Sequence, residues 1–371
     1  MALDEEVAGG DIAANCPGCR CEKPVAMSVA KPESSRPTMR DVAALAGVAL
    51  KTVSRVINGV PTVDPELAQR VRNAADKLGY RPILAASNLR SGRTNIVGLL
   101  LEDVGNPFSA ALHRSIEDYM RERGVLLLTA SLDEDPDRER ELASRLIDSR
   151  VDGLIIVPAG TDHRYLVAEQ SHGTSIVFVD REPRPLVADA VVADNRRSAA
   201  RLVAHLAKTG RRRIGYLGDT LTIQTAGERY QGYLDAYRGL GVDPPNGLAH
   251  HGLRTVEAAE EATVRMLAQN QPPDALFTSQ NLITVGAVHA LHSTGRQHDI
   301  ALAGFDDVQF AETLDPAITV VAQDTVTIGR TASERLFARI AGDRSPARVY
   351  TIDSQLITRG SGELRPMSGK H

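Results

Sequence analysis

A chain of 371 residues with 43 Lys and Arg against 47 Asp and Glu has room for two to three domains and a large core. No apolar run reaches the length of a membrane helix, and three cysteines cannot staple a chain of this size, which argues against membrane-spanning and disulfide-framework classes. The net charge of −4 is spread unevenly: residues 36–94 hold ten basic and four acidic residues, net +6, residues 1–35 are net −3, and the rest is therefore −7. A basic module beside an acidic body predicts a polyanion partner for the small module alone.

Residues 1–35 are acidic, rich in Gly, Ala, Ser and Pro, and contain no apolar core of a signal peptide, so a disordered extension is expected. Cys16, Cys19 and Cys21 all lie here, in CPGCRC, and the nearest histidine that could complete a metal site is His113. The cysteine-free remainder fits a cytoplasmic location.

The stretch 38–58 reads TMRDVAALAGVALKTVSRVIN. Thr38 with Asp41 forms a capping box, Val42, Leu45 and Ala46 recur at helical spacing, and Gly47 ends the first helix. A second short helix turns Val53, Val56 and Ile57 inward and leaves Leu50, Lys51, Thr52, Ser54, Arg55 and Asn58 on other faces, so the pair predicts a helix-turn-helix. Asp64, Pro65 and Glu66 then open a third helix that runs to Leu78 and closes at Gly79. The runs Asp41-Val42-Ala43, Ala46-Gly47-Val48, Thr52 to Gly59 and Leu78-Gly79-Tyr80-Arg81-Pro82 strongly resemble the lactose-repressor (LacI/GalR) family of transcription regulators.

That resemblance implies a DNA-binding head over residues 36–81 and a hinge over 82–94. Leu50, Lys51 and Arg55 are then expected nearest the base edges of the major groove, with Arg55 open to a phosphate contact instead. Thr38, Thr52, Ser54, Asn58 and Tyr80 complete the expected DNA contacts. In the hinge, which becomes helical only on operator DNA in this family, Leu89 matches the leucine that wedges into the minor groove. Three positions depart from the usual pattern: Ile83 and Ser87 in the hinge, and Ala49, which cannot cap the recognition helix as serine does.

From residue 95 onward, strand and helix patterns alternate. Strands are expected at 96–101, 125–130, 153–157, 175–179, 213–218, 275–278 and 300–304, and helices near 110–122, 136–150, 195–208, 226–240, 256–268 and 285–291. This is an α/β body of two doubly wound parallel sheets behind an α-helical head. The order resembles type I periplasmic binding proteins, whose two lobes close on a small molecule and are crossed by the chain three times. On that resemblance the effector-binding and dimerisation domain spans 95–364. Lobe one covers about 95–193 and 325–349, lobe two about 194–322 and 350–364, and 365–371 form a flexible tail.

Ligands of open parallel sheets sit at the carboxyl ends of the strands, so the residues that follow strands are the candidates. Asp103, Asn106 and Phe108 follow the first strand, and Asn106-Pro107-Phe108 matches the family's effector loop. Phe108 offers a stacking face or packs in the core. Asp180 and Arg181 match an Asp-Arg after a strand, and Asp180 also has the plainer reading of a cap. Arg229 matches an arginine that reaches the effector from lobe two, or pairs with a body carboxylate. Asp306 matches an aspartate that accepts from ligand hydroxyls, or merely ends its strand. Gln280 and Gln323 match further polar positions, although Gln280-Asn281 stands where the family usually has Asn-Asp.

No phosphate loop, dinucleotide fingerprint or metalloprotease helix is present, and His289 and His292 lack a third ligand, so neither an enzyme nor a cofactor is expected. The expectation is a cytoplasmic, nucleoid-associated repressor of carbohydrate-related genes. It binds a palindromic operator in double-stranded DNA and responds to a polyhydroxylated effector such as a sugar. A tail without leucine heptads predicts a homodimer. An effector-blind regulator with a degenerate cleft is the alternative.

Overall fold

A computed structural model describes residues 36–81 and 93–366. The expectations for residues 1–35, for Leu89 with the rest of 82–92, and for 367–371 lie outside the described residues. The chain forms two compact units, taken in turn.

In the head, α1 (Met39–Ala46) starts at Thr38, which accepts from the Asp41 amide at 3.4 Å while the Asp41 carboxylate accepts from the Thr38 amide at 2.8 Å. This is the reciprocal capping box. Gly47 ends the helix at φ 63, and a Cβ there would also stand 3.0 Å from the Arg70 guanidinium, which donates to the Ala46 carbonyl at 2.7 Å. The left-handed backbone is what favours glycine here, since the tip of the Arg70 side chain can give way. Helix α2 (Leu50–Ile57) starts at Ala49 with no side-chain cap, and α3 (Pro65–Leu78) starts at Asp64, whose carboxylate accepts from Glu66 and Leu67. Val42, Ala46, Val53, Val71, Ala74 and Ala75 form the core. Leu45 departs from the expectation: it is 46% exposed, because an eight-residue helix buries only a narrow stripe, filled here by Val42 and Ala46.

The body holds two six-stranded sheets. The first comprises β1 (Ile96–Leu101), β2 (Leu126–Ser131), β3 (Gly153–Ile156), β4 (Ser175–Val179), β5 (Asp189–Ala193) and β11 (Val349–Ile352), ordered β11-β5-β4-β3-β1-β2 and parallel throughout. The second comprises β6 (Ile214–Leu217), β7 (Ala249–His250), β8 (Ala275–Thr278), β9 (Ala301–Phe305), β10 (Thr319–Ala322) and β12 (Gln355–Ile357), ordered β12-β10-β9-β8-β6-β7; β12 alone runs antiparallel.

Helices cover both faces of each sheet, so β1 is buried on both sides: Val97, Leu99 and Leu101 join one core cluster and Leu100 the other. The helices that matter for the cleft are α4 (Pro107–Glu122), α7 (Asn195–Lys208), α8 (Gln224–Gly239), α10 (Asn281–Ser293) and α11 (Thr325–Ile340), with α5 (Pro136–Asp148), α6 (Val167–Ser171) and α9 (Val256–Leu267) between them. The chain crosses between lobes after β5, after β10 and after β11.

Several boundaries differ from the sequence expectation, among them the start of α10 at Asn281 rather than near 285. Helix α4 begins at Pro107 rather than near 110, because Asn106 caps it through the Phe108 amide at 3.0 Å. Residues 350–352 belong to the first sheet rather than to lobe two. There β11 pairs with β5, and the Asp189 carboxylate accepts from the Arg348 amide at 2.9 Å and holds the register.

Candidate functional site

Asp180 directly follows β4 and Asp306 directly follows β9, and both take left-handed backbone, φ 69 and 68. Their amides donate to the next strand, Asp180 to Val191 at 2.9 Å and Asp306 to Val321 at 2.8 Å. The two lobes thus bend the chain in the same way at equivalent strand ends, a conformation that aspartate tolerates better than most residues. Both carboxylates line one cleft that is partly open to solvent.

Lobe one contributes Glu102, Asn106, Phe108, Asp180 and Arg181 to this cleft, and lobe two contributes Asp219, Arg229, Ser279, Gln280, Asn281 and Asp306. Gln323, on the crossing after β10, also lines it. Of the expected residues Asp103 is the exception. Its carboxylate folds back to accept from the Gly105 amide at 2.8 Å, because β1 ends at Leu101 and turns the neighbouring Glu102 inward. Glu102, Asp219, Ser279 and Asn281 are cleft residues that the sequence reading does not include, although the first three sit within two residues of a strand end and Asn281 three past one.

Arg229 is buried through helix packing. Gly232, one turn further along α8, lies against the Arg196 carbonyl and would put a Cβ 2.8 Å from Ala199, so α8 can press onto α7 only with glycine there. This brings the Arg229 Nε to the Asn195 side chain at 2.8 Å. Its Nη1 donates to the Ser279 carbonyl at 2.7 Å and to Asp306 at 3.4 Å, and the guanidinium stacks 3.8 Å above the Phe305 ring. Arg229 therefore pairs with a body carboxylate, and it does so at the cleft wall. Burial pushes the Asp306 carboxyl up, opposed by Arg229 and by Gln323, which donates to it at 2.7 Å.

Arg181 lines the cleft with its donors largely committed: Nη1 bonds Glu134 at 2.8 Å and the Pro158 carbonyl at 2.7 Å, and Nη2 also meets Glu134. Burial works to lower its pKa, and the Glu134 hydrogen bonds and charge more than offset that. Asn281 donates to Asn106 at 2.9 Å across the cleft, and Gln280 reaches Asp219 at 3.4 Å. Phe108 packs on the first-lobe core while its ring edges the cleft. Glu102 is pushed up to about 7, first by burial and then by Glu134, with Arg181 opposing. Among the described residues no group of three or more His, Cys, Asp and Glu is placed to hold a metal, and no helix is long and apolar enough to cross a membrane.

On the head, Leu50 is 45% exposed, and Lys51 and Arg55 are exposed beside it, on the face of α2 away from buried Val53. Thr52 and Ser54 are half-buried, and Asn58 folds back to donate to the Ser54 carbonyl at 2.7 Å. Thr38 is engaged in its capping box, and Tyr80 packs half-buried on the head core, which pushes its phenol pKa up.

Residues 38–82 match the family described as bacterial regulatory proteins, lacI family, and residues 203–362 match a periplasmic binding protein-like domain. The HTH-type transcriptional regulator PtxS of Pseudomonas aeruginosa is 34% identical over 339 residues, covering 90% of this chain and 98% of that protein. The chain belongs to the lacI family. It is thus a transcriptional regulator with a helix-turn-helix head and a two-lobed body, and the family's members are regulators rather than enzymes. A structure of the transcriptional regulator CelR in complex with cellobiose aligns at 29% identity with a TM-score of 0.66, covering 88% of this chain and all of that one. The lac repressor dimer bound to operator and the anti-inducer ONPF matches in fold, with a TM-score of 0.79 at 22% identity over 89% of this chain and 100% of that one.

Proposed function

We propose that this regulator is a cytoplasmic, nucleoid-associated repressor that binds a palindromic operator as a homodimer and is controlled by a small polyhydroxylated effector in the body cleft. The observation that carries this reading is a cleft lined from the strand ends of both lobes, in a chain that also carries the family's head. Leu50, Lys51 and Arg55 project from α2 and read the major groove. Thr38, Thr52, Ser54, Asn58 and Tyr80 hold the head on the duplex, and Leu89 of the hinge wedges the minor groove. In the cleft, Phe108 supports a sugar ring, while Asn106, Asp180, Arg181, Arg229, Gln280, Asp306 and Gln323 supply donors and acceptors. The relative solved with cellobiose supports a sugar-like ligand. Effector binding changes the angle between lobes and so the operator affinity, a coupling of about 1–3 kcal/mol. The working division is a head at 36–81, a hinge at 82–94 and an effector domain at 95–364.

A thermal-shift screen of sugars, polyols and nucleosides tests the cleft, and selection of an operator from random DNA tests the head. A ligand at 100 times its Kd stabilises by about 2.7 kcal/mol. Leu89→Ala should lose specific binding and keep the salt-dependent component. One observation favours an effector-blind regulator: Arg181, Arg229 and Asn106 are already bonded within the protein. In that case no ligand shifts the melting temperature and operator binding is constitutive.

A further inference from the structure

The charges in and behind the cleft do not balance. Glu134 takes Arg181, Asp180 lies 3.4 Å from the Arg181 Nε, and Asp306 takes Arg229 at 3.4 Å. Glu102 and Asp219 are left over. The cation nearest Glu102 is Arg181 Nη2 at 3.9 Å, beyond hydrogen-bond reach, and the cation nearest Asp219 is Arg254 at 4.0 Å, on a side chain 46% exposed. Neither carboxylate is at the surface: their side chains are 27% and 13% exposed. Burial raises the pKa of both, and each lies in the field of further carboxylates, Asp219 acting on Glu102 and Glu134 on both.

Three cleft-lining residues hold a buried polar atom without an aligned hydrogen-bond partner among the described residues: the Ser279 hydroxyl, on a residue 2% exposed, the Gln323 side-chain carbonyl oxygen, and the Arg181 Nε, whose charge is met by Asp180 at 3.4 Å. Arg181 is already charge-paired with Glu134, which leaves Ser279 and Gln323 as the neutral polar groups open to a ligand in this cleft. A buried hydroxyl and amide left open invite a ligand that brings its own hydroxyls. The unmatched carboxylates invite a cation, and no metal-holding cluster exists among the described residues. A sugar phosphate or sugar acid would meet two arginines already paired and two carboxylates that repel it.

We infer that the effector is a polyol bearing a protonated amine, with its ammonium seated between Glu102 and Asp219 and its hydroxyls on Ser279, Gln323 and Arg229. This rests on the effector-binding reading above and narrows its ligand class. Glu102 follows β1 and Asp219 closely follows β6, one from each lobe, so an ammonium between them draws the lobes together.

The test uses the full chain at neutral pH with two matched sets: glucitol, 1-amino-1-deoxyglucitol and gluconate, then glucose, glucosamine and glucuronate. The amine of at least one set should raise the melting temperature by several degrees where its neutral and acidic partners do not, and Glu102→Gln combined with Asp219→Asn should abolish the rise. A neutral or acidic partner that shifts the protein as much as the amine overturns the inference and leaves a sugar-responsive cleft standing.

A second measurement needs no ligand. Glu102→Lys supplies the ammonium from within the protein, and Glu102→Met removes the carboxylate at similar size. The lysine variant melting above the methionine variant supports the charge preference, and melting below it overturns the preference. No shift from any probe, together with the lysine variant melting lower, overturns both the inference and the effector reading.

Discussion

The Asn281 amide nitrogen donates to the Asn106 carbonyl oxygen at 2.9 Å, joining the first turn of α10 in lobe two to the cap of α4 in lobe one. The orientation is set from both sides. The Asn281 oxygen accepts from the Leu282 amide at 2.7 Å, and the Asn106 oxygen also caps Phe108. Asn281→Asp therefore places an acceptor against an acceptor in a buried site. We expect a loss of roughly 1–3 kcal/mol, read from the urea midpoint. The radius of gyration should rise as the lobes part, and a variant as stable and compact as the parent would refute this clasp.

Arg229 is the second test. Removing it leaves Asp306 buried with only Gln323 as a partner, which costs about 3–5 kcal/mol for a broken buried pair. Arg229→Ala should melt well below the parent, so loss of effector response in that variant reports stability as well as binding. Asp306→Asn keeps the shape, neutralises a carboxylate that burial already disfavours, and should separate the two effects: near-parent melting with a lost ligand response.

Glu102 predicts a pH dependence. Its folded-state pKa of about 7 lies above its ordinary 4.5, so the folded protein binds more protons than the unfolded chain between those values, and stability from this group is lost as pH rises through that window. Glu134, Asp180 and Asp219 act to raise the value and Arg181 to lower it. Glu102→Gln should match the parent near pH 4 and exceed it by up to about 3 kcal/mol at pH 8, measured by denaturant unfolding. An advantage constant across that range would reject the assignment.

On the head, Lys51→Ala and Arg55→Ala give different signatures if one reads a base and the other holds a phosphate. Loss of a phosphate contact should reduce the slope of log affinity against log salt by about 1 and weaken all sequences alike. Loss of a base contact should cost about 1–3 kcal/mol only on the preferred operator. Competition binding at several salt concentrations separates them.

The sequence showed most where local chemistry alone decides the outcome. Asp64, Pro65 and Gly79 delimit α3, and β4 and α7 match their expected spans. Elements that depend on partners far along the chain are not visible in it: the buried strands β5 and β10, β7 with two residues, and β11 and β12 with four and three and partly exposed faces. The cleft shows the same division. Strand ends and the family resemblance led to Asn106, Phe108, Asp180, Arg229 and Asp306. Which of the adjacent acids Glu102 and Asp103 turns inward depended on where β1 stops, and periodicity does not resolve a one-residue boundary.

The third crossing has a consequence for how the protein is made. Strand β11 closes the edge of the first sheet from residues 349–352, and β12 closes the second from 355–357, although their partners β5 and β10 come earlier in the chain. During synthesis the head, complete by residue 81, has every partner it needs long before either lobe does. Neither sheet can complete its edge until residues 349–357 have emerged, so the two lobes reach full assembly almost together, after every other strand has been made.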